Sequence, residues 1–150
     1  MNGSNLTGST LAVQSSSGPA VAEPQAWNLM EWQLAMWHKV HPPEWFAGRK
    51  VDVIGFVVHQ GDVPTGNFLV GRFVIYHCAA DARGVALLVN WPQAGSLPSD
   101  TWVEVQGTMK VENIGAGPTL HVYATHVDNK IGEPESPYLR PFLRNDNPGG

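Results

Sequence analysis

Cysteine is almost absent from this 150-residue chain: Cys78 stands alone, so no intramolecular disulfide staples the fold. Its thiol is left to be a small buried group, a reactive group or a metal ligand. Positive charge is short as well. Nine Lys and Arg face 13 Asp and Glu, a formal charge of -4, which leaves no surplus to hold a phosphate backbone and argues against nucleic acid as a general partner. No run approaches the roughly 18 to 20 consecutive apolar residues that cross a bilayer as a helix, and the longest apolar stretches have the length of strands. Aromatic residues are missing before Trp27, and this opening stretch also lacks the basic and continuous apolar parts of a secretory signal. Asn5-Leu6-Thr7 fits the glycosylation acceptor pattern, but so short a pattern arises often by chance.

What is present divides the chain into three. Residues 1–26 are rich in Ser, Gly, Thr and Ala and carry too little apolar surface to offset the entropy of ordering, so a disordered linker or leader is expected. Residues 27–131 hold the material for one core. Residues 132–150, with Pro134, Pro137, Pro141 and Pro148, read as a proline-rich tail lying along the surface, because proline is excluded from central strands.

Leu29, Trp32, Met36 and Val40 recur at helical spacing, so a short amphipathic helix is expected, stopped by Pro42-Pro43. After Gly48 the period changes to two. Five β-rich segments follow, Lys50 to His59, Asn67 to His77, Val85 to Trp91, Trp102 to Val111 and Thr119 to Asp128. The Gly61 to Gly66 stretch makes a hairpin of the first two, residues 92–100 leave room for a turn of helix, and Gly115 to Pro118 join the last pair. Five strands with the longer connection between the third and fourth predict a mainly β fold, a five-stranded OB-like barrel preceded by a short N-terminal helix. A split barrel or small sandwich would use the same segments. Gly55, Gly71 and Gly107 are candidates for the bends, and the six tryptophans for a plug at an open end of the barrel. Arg72, in an otherwise apolar strand, needs solvent, an aromatic face or a carboxylate such as Asp81 or Glu104.

Four stretches carry a family resemblance: GRKVDVIGFV from Gly48, NFLVGRFVIYHCAADARGVALLV from Asn67, DTWVEVQGTM from Asp100 and KIGEPESPYLRP from Lys130. In this order they resemble the soluble C-terminal domain, of unknown function, of the YcgQ-type family of two-component membrane permease subunits. The resemblance spans roughly Trp27 to Pro141, and its most specific parts lie in RFVIYHCAAD and DTWVEVQG. It implies a bacterial accessory domain partnered with a membrane permease subunit. It further implies association with the membrane, on the extracytoplasmic side, through a membrane region that this chain lacks. The family's frequent Cys-Cys pair stands here as His77-Cys78.

That exchange keeps a possible ligand type, and His77, Cys78 and Asp81 place an imidazole, a thiol and a carboxylate within five positions. Zinc is the metal such a set would take. In an OB barrel the fifth strand runs parallel to the third, which nominates His121 as a further ligand near Asp81. His59, at the far end of the first hairpin, is excluded by roughly 30 Å of strand. The competing reading makes Cys78 a small buried residue, His77 solvent-facing and Asp81 a turn former. Catalysis by Cys78 would require a base and an oxyanion site, and neighbours in a strand point apart. The expected function is a non-enzymatic accessory domain of a membrane permease complex with possible zinc binding as its sharpest chemical hypothesis. A single-stranded nucleic-acid or oligosaccharide-binding OB module is the alternative, and a Cys78 redox enzyme the third.

Overall fold

The structure is a computed structural model that describes residues 24–39, 41–114 and 117–141. Asn5-Leu6-Thr7, Val40 and the Gly115-Ala116 turn lie outside these residues, as do most of the leader and the end of the proline-rich tail. The first helix begins where Asn28 and Glu31 satisfy each other: the Asn28 side chain accepts the Glu31 N–H at 3.0 Å, and the Glu31 carboxylate accepts the Asn28 N–H at 2.8 Å. Helix α1, Leu29–His38, ends at Lys39, whose φ of 54° turns the chain left-handed. Leu29, Met30 and Trp32 are buried against the sheet. Pro43 then opens a four-residue helix α2, Pro43–Phe46, so the proline pair both closes one helix and starts the next. Trp27, Trp32, Trp45 and Phe46 stack around this corner at centroid distances of 4.9 to 6.3 Å. Trp37, by contrast, is exposed.

The strands are β1 (Lys50–Val58), β2 (Asn67–Val74), β3 (Arg83–Asn90), β4 (Trp102–Ile114), β5 (Gly117–Asp128) and β6 (Tyr138–Leu139). The sheet order is β1-β4-β5-β3-β2-β6, and an additional β1–β2 pairing brings five strands back to their start, the expected OB-like arrangement. Alternation is strict in β1: Val51, Val53, Gly55 and Val57 face inward, while Asp52, Ile54, Phe56 and Val58 face outward. The parallel β3–β5 seam is short, formed by Val89–Val122 and Asn90–Tyr123. Helix α1 packs beside it, and Gln33 Oε1 accepts the Ala86 N–H at 3.0 Å, supplying an edge donor with the partner that β5 does not reach.

Two glycines are required by close approach. A Cβ on Gly55 would stand 2.5 Å from the Gly71 carbonyl oxygen, and one on Gly107 would meet the backbone of Tyr123 and Ala124, where β4 and β5 change register. Gly71 differs, since a Cβ there meets its neighbours at an ordinary 3.5 Å.

Strand β2 ends at Val74, three residues short of the sequence expectation. Its edge is shared. β1 occupies it from Leu69 to Gly71, and beyond that β6 takes over, pairing Phe73 with Tyr138 and Val74 with Leu139. Arg72 fills the splay between the two and is 1% exposed. Its guanidinium donates through Nε to the Pro137 carbonyl at 3.1 Å, through Nη1 to the Ile54 carbonyl at 3.4 Å and through Nη2 to the Ser136 carbonyl. The Trp102 ring lies 5.5 Å away. Of the expected partners for this charge the structure supplies the aromatic face, and main-chain carbonyls of β1 and the C-terminal segment stand beside it. That segment also enters the sheet rather than only crossing the surface, with Leu139 buried in the core. Pro134 and Pro137 precede the pairing and Pro141 follows it, so no proline has to donate within it.

The glycine geometry is tested by two alanine variants in denaturant melts. Gly107→Ala is expected to cost about 2 to 4 kcal/mol, whereas Gly71→Ala should lie within about 0.5 kcal/mol of the parent. Equal effects would contradict the close approach at β4–β5.

Candidate functional site

Of the four residues proposed as metal ligands, the structure brings three into one turn. The carboxylate of Asp81 accepts the N–H groups of Tyr76, His77 and Cys78 at 2.9, 2.7 and 3.3 Å, and its Oδ2 lies 3.2 Å from His77 Nδ1. These bonds draw the chain out of β2 and into a 3-10 turn, Ala79–Asp81, which explains the early end of the strand. Burial works to raise the Asp81 carboxyl, but the three N–H donors and the neighbouring His77 outweigh it and hold the group below its ordinary 3.8. The His77 side chain is 87% exposed, as the turn reading expects. Cys78 is also exposed, so it is not the small buried residue of that reading.

His121 is elsewhere. β5 does run parallel to β3, but Val122 pairs with Val89, which sets His121 level with Leu88 near the end of β3, roughly 20 Å along the strand from Asp81. The expectation assumed a register that joined the strand beginnings. His121 is instead buried, with Nε2 3.8 Å from Glu112. His59, excluded from the set, donates from Nε2 to the Leu97 carbonyl at 2.7 Å. Among the described residues no three His, Cys, Asp or Glu side chains converge as a metal site. In the turn the Asp81 oxygens serve the backbone donors of residues 76 to 78. The same bonds bear on cysteine chemistry, because the N–H groups nearest Cys78 are occupied and form no open oxyanion hole.

The outward faces of β1, β2 and β3 offer a different feature. Phe56 lies 5.6 Å from Phe73 and 5.4 Å from Trp102 between ring centroids, and Phe73 remains 45% exposed beside Tyr138. Phe56 and Phe73 wall a groove of about 430 Å³ that Val58, Leu69, Gly71 and Gly84–Ala86 also line, with Gln33 and Gln60 as its neutral polar groups. Among the described residues Arg72 is the single ionisable one in the lining, and its guanidinium is turned into the splay described above. A concave, mostly apolar surface with a few polar groups has the character of a binding site. Sequence reasoning missed it. Phe56 falls in phase with Asp52 on the outer face, which is a legible signal, but its meeting with Phe73 and Trp102 depends on the register of three strands.

Cross-strand register also assembles carboxylates that sequence reasoning did not join. Glu104 stands opposite Asp128, and Asp52 lies one outward position along the neighbouring strand. A hydrogen bond with Asp52, then burial, then the charges of Asp52 and Asp128 raise the Glu104 carboxyl from 4.5 to about 7.

The fold defines an OB-like β domain. The family model of the DUF1980 C-terminal domain matches residues 28–141, and the chain belongs to that family. It is 31% identical over 98 residues to the UPF0703 protein YcgQ of Bacillus subtilis (strain 168), a match covering 65% of this chain and 34% of that protein. The chain thus matches about a third of the length of this curated relative. A small single-stranded DNA-binding protein from Streptomyces coelicolor is also similar, at 17% identity and a TM-score of 0.38, covering 56% of this chain and 95% of the other.

Between pH 4.5 and about 7 the folded chain holds a Glu104 proton that the unfolded chain has released, so stability should fall as pH rises through that window. After allowance for solvent screening the loss is about 1 kcal/mol, and Glu104→Gln should flatten it in melts at pH 5 and 8. At the turn, Asp81→Ala should abolish hydrogen-exchange protection of the Tyr76, His77 and Cys78 amides, with zinc or EDTA making no difference. A zinc-dependent rise in melting temperature that this variant removes would contradict the turn reading.

Proposed function

We propose that this chain is a non-enzymatic accessory domain of a membrane permease assembly, and that it docks its partner through the groove on the outer face of β1–β3. The observation that carries the docking reading is the aromatic pair Phe56 and Phe73 above a floor of small residues, with Trp102 packed against Phe56. The permease context rests on the resemblance of the four sequence stretches alone. The Cys78 turn lends no support to an enzyme, because its backbone donors and the Asp81 carboxylate are committed to each other. Zinc at His77, Cys78, Asp81 and His121 is not carried into this reading, since His121 is remote and Asp81 is engaged.

The single-stranded nucleic-acid alternative has the aromatic platform in its favour, but among the described residues the groove lining offers no cation whose donors are open. A photo-crosslinking amino acid placed at position 73 in cells producing the family's membrane subunit tests the proposal. Crosslinks to that subunit are expected from position 73 and not from position 123, an exposed aromatic position on β5. Equal crosslinking from both positions, or none from 73, would contradict docking through this groove.

A further inference from the structure

We propose that Asp52 and Glu104 share one proton, and that this proton is a pH-operated latch between β1 and β4. Register brings the two carboxyls together. Hydrogen-bonded rungs recur at every second residue of an antiparallel ladder, and at one of them Met109 donates to the Arg49 carbonyl at 2.9 Å. It follows that Val51–Gly107 and Val53–Val105 are hydrogen-bonded rungs, whereas Asp52–Gln106 and Ile54–Glu104 are of the other kind, in which facing side chains stand closest. Asp52 and Glu104 are diagonal neighbours on the outer face, with Gln106 opposite Asp52 and Asp128 opposite Glu104.

Asp52 supplies the observation that calls for a proton. Its Oδ2 accepts from Gln106 Nε2 at 3.3 Å, while its Oδ1 is buried from solvent and meets no donor. A buried acceptor left in that state is destabilising. The Glu104 carboxyl is hydrogen-bonded to Asp52, and two carboxyl oxygens can meet in this way only with a proton between them. That bond is the largest cause of the raised Glu104 carboxyl, ahead of burial and of the Asp52 and Asp128 charges. An unmet acceptor and a retained proton thus fall on one contact. Lys50 shares this face on β1, His126 stands opposite Gln106 on β5, and Arg72 reaches the Ile54 carbonyl from β2, but the charges that raise Glu104 are those of Asp52 and Asp128. Among the described residues these carboxylates do not converge as a metal site, so the proton is the ligand their geometry fits. Below about 7 Glu104 keeps it and the latch is closed; above, Asp52 and Glu104 are both charged beside Asp128, and the strands repel at this rung.

Carbon NMR titration of the side-chain carboxyls in the isotope-labelled full chain, from about pH 3 to about pH 9, reads the proton directly. Glu104 is expected to titrate at about 7, with a smaller step in the Asp52 carboxyl at the same pH. Asp52→Asn should bring the Glu104 midpoint down by at least about one pH unit, and Asp128→Asn by less. An ordinary Glu104 midpoint in the parent chain, or a fall in Asp128→Asn equal to that in Asp52→Asn, would overturn the shared proton. Hydrogen exchange in the same chain reads the latch. From about pH 6 to about pH 8, protection of the Val53 amide in the β1–β4 ladder should fall about fivefold more than that of Val70 in the β2–β3 ladder. Glu104→Gln, which keeps a donor at this place without a titrating proton, should remove the difference. Equal falls at Val53 and Val70 in the parent chain would overturn the latch.

Discussion

A buried guanidinium organises this domain. Arg72 lies where β1 leaves the edge of β2 and β6 arrives to replace it, and such a charge is tolerated out of water only if its donors are met. Three carbonyls accept from it, one from β1 and two from the C-terminal segment, and the Trp102 ring lies alongside. The segment is thereby held against the β2 edge, where Leu139 accepts the Ile75 N–H at 2.9 Å and fills the core. Leaving these carbonyls or the guanidinium alone in the interior would be more costly than never having buried them. The C-terminal segment is part of the folding unit for that reason, despite its prolines.

The same arrangement shapes the outer surface. With its charge drawn into the splay, Arg72 contributes little polarity to the groove beside it, and Phe73, the next residue, stands outward against Phe56. A free cation at this place would have made an anion site from the same strands. Helix α1 closes the other margin, with Gln33 serving the β3 edge where the seam to β5 is short. The domain thus presents a neutral, aromatic-walled face on a closed sheet, while the Asp52, Glu104 and Asp128 carboxylates gather on neighbouring strands.

Much of this was legible in the chain because it is local. The alternation from Lys50 to Val58, the Gly61 to Gly66 turn and the helical spacing from Leu29 to Met36 each declare themselves within a dozen residues. Gly55 and Gly107, named as bends, sit where backbones approach too closely for a side chain. Pairing register across distant strands was not legible. His121 was expected near Asp81 because β3 and β5 run parallel, yet the direction of a strand says nothing about where along its length it pairs. The partners of Arg72 were hidden for a related reason: main-chain carbonyls leave no mark in a sequence, so only the need for a partner could be read. Asp81 shows the converse. Its short spacing to His77 and Cys78 suggested a ligand set, and the same spacing suits a carboxylate folding back onto three amides.

The central claim is that Arg72 holds the C-terminal segment to the sheet. Native-state hydrogen exchange of the Ile75 amide, which donates to Leu139, measures this in the full chain and in Arg72→Met. The account predicts that the variant loses protection at Ile75 by at least about tenfold, or about 1.4 kcal/mol, more than at Val53 in the β1–β4 ladder. Unchanged protection at Ile75, or an equal loss at both amides, would contradict it.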